Sequence, residues 1–134
     1  MNDFKLNTNM STKGTHIIAD YWDCSLIPDF SKEINVIDFT KKIEEFVKYS
    51  GATIIDTVFH NFKGTGYSAT ILLAESHFSI HVWPKEKYIS FDIYTCGNIN
   101  PKETHNVMKA YFSPHYYEFK VITRGVKNGI NQKK

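Results

Sequence analysis

The 134-residue sequence is poor in cysteine, and it lacks both a long hydrophobic run and a large excess of charge of either sign. Its two cysteines, Cys24 and Cys96, are too few for a disulfide framework and lack a metal-binding spacing, so we expect free thiols in a reducing compartment. No segment approaches the ~20 apolar residues of a membrane span, and residues 1–13 lack the apolar core of a secretory signal. These absences predict a cytoplasmic protein without a membrane partner.

Charge is nearly balanced, with 16 Lys and Arg residues against 14 Asp and Glu residues. Basic residues stand out only in the last residues, 127–134, which argues against a nucleic-acid surface. The length suits one hydrophobic core and is short for two. We therefore predict a flexible lead-in over 1–13, a single domain over 14–124 and a basic tail over 125–134.

Hydrophobic periodicity and turn residues predict the order of elements. The first helix is expected to have Asp38 as its N-cap and Gly51 as its terminator, and the second to begin with Asn100 as N-cap and Pro101 at the first helical position and to end before Pro114. The predicted strands cover residues 15–22, 53–62, 67–74 running into a hairpin arm at 71–82, 88–95 and 116–123, with a loop over 24–32 and a tight turn over 63–66.

This order is strand, helix, three strands, helix, strand. Hairpins dominate the middle of the chain, so the fold class is expected to be α+β, a two-layer sandwich with a mostly antiparallel sheet and both helices on one face. The other sheet face would be left bare, although its strands are rich in aromatic and β-branched residues. We therefore expect a second copy of the chain to cover it in a homodimer.

A register argument concerns the hairpin of residues 71–95. If its turn is centred between residues 85 and 86, the numbers of paired residues sum to 171, so that Glu75 lies opposite Cys96 and Ser76 opposite Thr95. Opposed Cα atoms in an antiparallel pair are about 4.5 to 5.5 Å apart, which puts the thiol beside the Glu75–Ser76 peptide bond. His81 is five residues from Ser76, and in an unbroken strand the two side chains lie on opposite faces. A bulge, a bend or a strand end near Ser76 is needed if they cooperate.

Two segments of this hairpin form an ordered motif. Residues 74–84 read Ala-Glu-Ser-His-Phe-Ser-Ile-His-Val-Trp-Pro, and residues 91–97 read Phe-Asp-Ile-Tyr-Thr-Cys-Gly. The motif resembles the signature of the small prokaryotic S-adenosylmethionine decarboxylases. Supporting matches are Ser-Gly-Ala-Thr-Ile-Ile at 50–55, Phe-His-Asn-Phe at 59–62, Gly-Tyr-Ser at 66–68, His16 and Cys24, so that the resemblance covers almost all of residues 16–124.

The resemblance implies a chain that cuts itself between Glu75 and Ser76. The Ser76 hydroxyl would attack the preceding carbonyl, and elimination from the resulting ester would leave a pyruvoyl group, the cofactor, capping the chain that begins at position 76. A serine suits this chemistry because its oxygen can act first as nucleophile and then as leaving group. By resemblance His81 is the processing base, Ser68 assists by hydrogen bonding, and Cys96 returns a proton to the substrate after CO₂ leaves.

The resemblance also implies the substrate and the partners. A pyruvoyl ketone forms a Schiff base with a substrate amine and withdraws electrons as pyridoxal phosphate does elsewhere. Phe62 matches an aromatic residue that stacks on the adenine. Lys85 departs from the family glutamate that binds the ribose, and Glu86 is the candidate replacement. We expect a homodimer of processed chains 1–75 and 76–134, and we predict no metal.

Three hypotheses follow. The leading one is a pyruvoyl-dependent S-adenosylmethionine decarboxylase that supplies spermidine synthesis. The second keeps the mechanism but takes a smaller amino acid, ornithine or arginine, and it is motivated by Lys85. The third is an unprocessed, inactive paralogue with a regulatory role. Each site residue also has an ordinary structural interpretation, which we retain for His16 and Cys24.

Overall fold

The computed structural model describes residues 12–127, which form six strands and two helices. Most of the predicted lead-in (1–13) and basic tail (125–134) lies outside this range. No helix in it is long and apolar enough to cross a membrane. The elements are β1 (Gly14–Cys24), α1 (Glu33–Lys48), β2 (Ile54–Asn61), β3 (Tyr67–Leu73), β4 (Ser76–Trp83), β5 (Tyr88–Cys96), α2 (Pro101–Phe112) and β6 (Pro114–Arg124).

All six strands join one sheet in the order β2-β3-β4-β5-β1-β6, and every neighbouring pair is antiparallel. The predicted α+β sandwich is therefore confirmed. The predicted register of the β4–β5 hairpin is confirmed as well, since Ser76 lies opposite Thr95 and Trp83 opposite Tyr88. The turn that fixes this register is centred between residues 85 and 86, as predicted.

The core lies between the helices and one face of the sheet. Alternate residues of β1, β3, β4 and β5 are buried, as expected for strands that have one face covered. Rings from both helices and β3 meet there: Phe39 of α1 packs edge-on against Tyr67 at 4.9 Å, and Phe46 of α1 lies 6.2 Å from Phe112 of α2. This packing fixes which face of the sheet carries the helices.

The opposite face of the sheet, which we call the outer face, carries no helix from residues 12–127. It exposes large apolar side chains, with Ile18 and Trp22 of β1, Leu72 of β3 and Trp83 of β4 each 40–51% exposed. Polar residues alternate with the buried ones on the same strands, among them His77, His81 and Asp92. The outer face is thus a mixed aromatic and polar surface of the kind that the sequence predicted would be left bare.

The first helix begins earlier than predicted. It starts at Glu33 rather than after Asp38, and its N-cap residue Lys32 makes no side-chain hydrogen bond. The chain is turned into the helix by Asp29, whose side chain accepts hydrogen bonds from the backbone N–H and the hydroxyl of Ser31. The prediction was wrong because this local turn, and not a cap at Asp38, decides where the helix begins.

The predicted hairpin arm at 71–82 is wrong in a way that matters for function. It is two strands, β3 and β4, joined by a turn at Ala74 and Glu75, so the middle of the chain holds four strands and not three. Ala-Glu carries none of the glycine, asparagine or proline signals of a two-residue turn, which is why one continuous strand was predicted across it.

Elsewhere the predicted strands differ from the observed ones at their ends. The second helix is as predicted, with Asn100 accepting a hydrogen bond from the Lys102 N–H and Ser113 in the left-handed conformation after it.

Candidate active site

The turn between β3 and β4 bends the backbone sharply just before Ser76. Leu73 and Ser76 are paired across it, and Ser76 has a φ of 147°. An L-residue rarely adopts this conformation, because its Cβ crowds the backbone, and such residues cost about 1 to 3 kcal/mol each. Backbone strain therefore sits at the residue that follows the Glu75–Ser76 bond.

Glu75, on the N-terminal side of that bond, is held by two contacts. Its carbonyl oxygen lies 3.3 Å from Cys96 Sγ, and its side-chain Oε1 accepts a hydrogen bond of 3.0 Å from the backbone N–H of Thr53. Cys96 ends β5, next to the Thr95 that pairs with Ser76. The structure thus brings the thiol to the predicted peptide bond. We call Glu75, Ser76 and Cys96 the cleavage corner.

A second group of predicted residues lies further along the same strands. Ser68 of β3 is paired with His81 of β4, and Ser68 Oγ lies 2.7 Å from His81 Nδ1. Both line a depression of about 410 Å³, together with Phe62 and Trp83. We call Phe62, Ser68, His81 and Trp83 the groove. Its exposed rings and hydrogen-bonding groups suit a flat, polar ligand.

The cleavage corner and the groove are not brought together within one chain. Ser76 and His81 stand five residues apart on β4, and the β3–β4 pairing runs between them without a register shift. At about 3.3 Å per residue their Cα atoms are about 16 Å apart. The strand does begin at Ser76, but that feature does not move His81 closer. One chain alone therefore offers each half of the predicted site separately.

Lys85 and Glu86 lie in the turn between β4 and β5, and both are exposed. Because Trp83 pairs with Tyr88, the turn lies at the position that the register argument predicted. Both side chains are thus at the end of the hairpin that carries Trp83. A role for Glu86 in binding substrate stays a prediction.

A cluster that the sequence did not reveal lies on the outer face beside the cleavage corner. Asp92 Oδ2 is 2.7 Å from His16 Nε2 and 3.1 Å from His77 Nε2. The three residues come from β1, β4 and β5, so no local spacing connects them. Only the strand order together with the alternation of side chains could have pointed to it, and His16, interpreted as structural, is one of its members.

These three side chains are close enough to hold a divalent metal ion. However, Arg124 Nη1 lies 3.3 Å from His16 Nδ1, and a guanidinium can only donate. His16 Nδ1 must then be the acceptor, which leaves the ring proton on Nε2, where it is donated to Asp92. The observed contacts therefore fit a hydrogen-bonded carboxylate between two imidazoles better than a set of metal ligands.

The other cysteine differs from Cys96 in its environment. Cys24 is buried at the end of β1, and its burial, helped by the neighbouring charge of Asp23, raises the pKa of its thiol to about 11. A protonated, enclosed thiol is a poor nucleophile. This environment favours the structural interpretation of Cys24.

Comparison with known proteins points to one family. The sequence profile of the family described as S-adenosylmethionine decarboxylase matches residues 15–125. The S-adenosylmethionine decarboxylase proenzyme of Geobacillus kaustophilus is 42% identical over 94 residues, which cover 69% of this chain and 71% of that protein. The proenzyme of the same name from Methanococcus aeolicus is 34% identical over 117 residues, or 87% of this chain and 97% of that one.

A solved structure has the same fold. The crystal structure of the adenosylmethionine decarboxylase from Aquifex aeolicus matches with a TM-score of 0.67 and 28% sequence identity. The match covers 92% of this chain and 99% of that one. The similarity thus extends over the sheet, both helices and the segments that carry the cleavage corner and the groove.

Proposed function

Because the chain belongs to the S-adenosylmethionine decarboxylase family, we propose that it is a pyruvoyl-dependent decarboxylase of S-adenosylmethionine, made as a proenzyme that cuts itself between Glu75 and Ser76. Its product would be the aminopropyl donor for spermidine synthesis. The observation that carries the proposal is the cleavage corner, where a strained serine follows a carbonyl that a thiol contacts.

The strain at Ser76 favours cleavage because breaking the bond releases it. In the first step Ser76 Oγ bonds to the carbonyl carbon of Glu75, the C–N bond breaks, and the hydroxyl proton ends on the freed nitrogen. Removal of the Ser76 Hα then expels the Glu75 carboxylate and leaves a dehydroalanine at position 76. This tautomerises to an imine, and water hydrolyses the imine to a ketone with release of ammonia. A hydrogen bond from Cys96 to the Glu75 carbonyl would stabilise the negative charge that develops on its oxygen.

The mature ketone supplies an electron sink for breaking the bond between the substrate Cα and its carboxylate. Cys96 is the proposed proton donor to that carbon. Its Sγ already lies 3.3 Å from the carbonyl oxygen of Glu75, the residue that precedes the one that becomes the ketone. A single thiol can thus serve both self-cleavage and turnover.

The groove is the proposed site for the nucleoside end of the substrate. The Phe62 ring is 49% exposed at its wall, and an aromatic face of this kind binds both an adenine and a sulfonium cation favourably. Glu86, in the turn that follows Trp83, is the proposed ribose acceptor. We assign no metal to the reaction, and the pyruvoyl group is the proposed cofactor.

A homodimer is needed if His81 is the processing base, because within one chain its Cα is about 16 Å from that of Ser76. We propose that two copies pack through their outer faces, so that Ser68 and His81 of one copy approach the Glu75–Ser76 turn of the other at the end of its sheet. The exposed aromatic residues of the outer face supply the apolar area for such an interface. The reducing cytoplasm is the proposed compartment, since Cys96 must stay a thiol.

Intact-mass measurement tests the proposal. Freshly purified protein should separate under denaturing conditions into chains 1–75 and 76–134, and borohydride should trap a carbonyl on the second. The Ser76→Ala variant, which lacks the attacking oxygen, should remain one uncut chain. Cleavage that persists in this variant would show that another bond is cut, and an uncut wild type without a carbonyl would support the inactive paralogue.

Release of CO₂ from labelled S-adenosylmethionine, ornithine and arginine separates the substrate hypotheses. We expect release from S-adenosylmethionine, and a Phe62→Ala variant should raise KM at least tenfold because its stacking face is lost. Release from ornithine or arginine alone would assign the second hypothesis and explain Lys85. Conversion of none of the three by cleaved protein would contradict both.

A further inference from the structure

Thr95 has a hydroxyl that the fold leaves without a partner. Its side chain is 1% exposed, and Thr95 Oγ1 is the buried side-chain polar atom that lacks a hydrogen bond within residues 12–127. A buried hydroxyl without a hydrogen-bond partner destabilises the folded chain. A valine would fill the same volume without that cost, so the oxygen at this position calls for an explanation.

The position of Thr95 supplies one. In the β4–β5 register it lies directly opposite Ser76, and the next residue is Cys96. Directly opposed residues of an antiparallel pair have Cβ atoms about 4.5 to 5.5 Å apart on the same face of the sheet. A rotation of the Ser76 side chain is therefore enough to bring its hydroxyl within hydrogen-bonding distance of Thr95.

We propose that Thr95 is a positioning residue for self-cleavage. Its oxygen accepts the hydroxyl hydrogen of Ser76 and holds Ser76 Oγ toward the carbonyl carbon of Glu75. The uncut resting state leaves Thr95 unsatisfied, so the hydrogen bond is gained when Ser76 adopts the attacking rotamer. This differential contact favours the reactive conformation over the resting one. Thr95 itself neither gains nor loses a proton, and the inference rests on the proposed function.

The test compares the rate of cleavage with stability. Thr95→Val keeps the shape and removes the oxygen, so freshly synthesised chain should be cut about tenfold more slowly than wild type. Thr95→Ser keeps the oxygen and should recover most of the rate. In the uncut Ser76→Ala background, Thr95→Val should be at least as stable to urea as Thr95, because the unsatisfied hydroxyl is gone. Thr104→Val in α2, which removes a buried hydroxyl already bonded to the Phe46 carbonyl, is the matched control.

The outcomes separate the two proposals. Cleavage of Thr95→Val at the wild-type rate would overturn the role of Thr95 and leave the proposed function intact. Slow cleavage in both Thr95 variants, with a loss of stability, would assign Thr95 to packing and also overturn it. A wild-type chain that is never cut would overturn the proposed function, and this inference with it.

Discussion

At the scale of single residues, Ser76 combines two properties that ordinarily exclude each other. It carries the side chain that the cleavage chemistry requires, and it has a φ that only glycine adopts without strain. A glycine there would relieve the backbone but could not attack. Retaining a serine at a strained position is what a self-cleaving bond needs, because the strain is released by the reaction that the side chain performs.

We therefore predict that Ser76→Gly is more stable than Ser76→Ala by about 1 kcal/mol, the relief of strain less the entropy cost of glycine. Both variants should stay uncut, so urea unfolding compares single intact chains. The matched pair is Ser79→Gly and Ser79→Ala on the same strand, both made in the uncut Ser76→Ala chain, where glycine should be the less stable by about 0.5 to 1 kcal/mol. If the glycine variant is the less stable one at both positions, Ser76 is not strained.

At the scale of elements, α2 is anchored to the sheet through a buried polar contact. His105 Nδ1 lies 2.7 Å from the hydroxyl of Tyr21 in β1, and the imidazole packs on Phe119 of β6 with ring centroids 4.1 Å apart. Burial, with the nearby charge of Lys109, lowers the pKa of His105 below its ordinary value. The same burial raises the pKa of Tyr21. Burial at this contact therefore disfavours the charged form of both side chains.

This predicts a loss of stability in mild acid. The unfolded chain takes up a proton on His105 near pH 6.5, whereas the folded chain takes it up only at lower pH. The free energy of unfolding should thus fall as the pH drops below about 6.5 and stop falling once the folded-state pKa is passed. Urea unfolding of Ser76→Ala at several pH values measures the slope. A His105→Asn variant of that chain should show a smaller slope, and an unchanged slope would rule out His105 as the cause.

Local sequence patterns predicted the ends of some elements and not of others. The caps of α2 and the position of the turn after Trp83 were predictable because each depends on a few residues that are neighbours in the sequence. The start of α1 and the turn at Ala74 were not. The start of α1 is set by the turn that Asp29 forms with Ser31, which the sequence pattern included in a loop. At Ala74 the backbone follows from tertiary pairing, with β3 and β4 aligned by the whole sheet, and the local sequence carries no turn residue to announce it.

At the scale of the whole molecule, the proposed site is divided between two regions of one sheet. The cleavage corner holds the bond to be cut, and the groove holds the hydrogen-bonded Ser68 and His81. A dimer through the outer faces would join them in two equivalent sites. Each copy would then contribute the serine of one site and the histidine of the other.

Mixing two inactive variants tests this arrangement. Ser76→Ala cannot be cut, and His81→Ala alone should be cut at least tenfold more slowly because its base is missing. When the two are co-expressed, the His81→Ala chain should be cut, since its partner supplies the histidine, while the Ser76→Ala chain stays whole. Intact mass distinguishes the two chains. Failure of the mixed dimer to cut either chain would return His81 to a role within its own chain or to none.

The sequence by itself determined the α+β class, the register that puts Cys96 beside Glu75, and the residues of the motif. Hydrophobic periodicity and turn position are local properties, and once the turn is placed the unshifted β4–β5 pairing sets every later residue pair. Tertiary structure alone decided that Ser76 follows a turn with a strained φ, that His81 lies about 16 Å along the strand from it, and that His16, His77 and Asp92 meet. These features depend on which strands are neighbours and where a pairing ends. That choice is made by burying one face of the whole sheet under two helices, and no short stretch of sequence contains it.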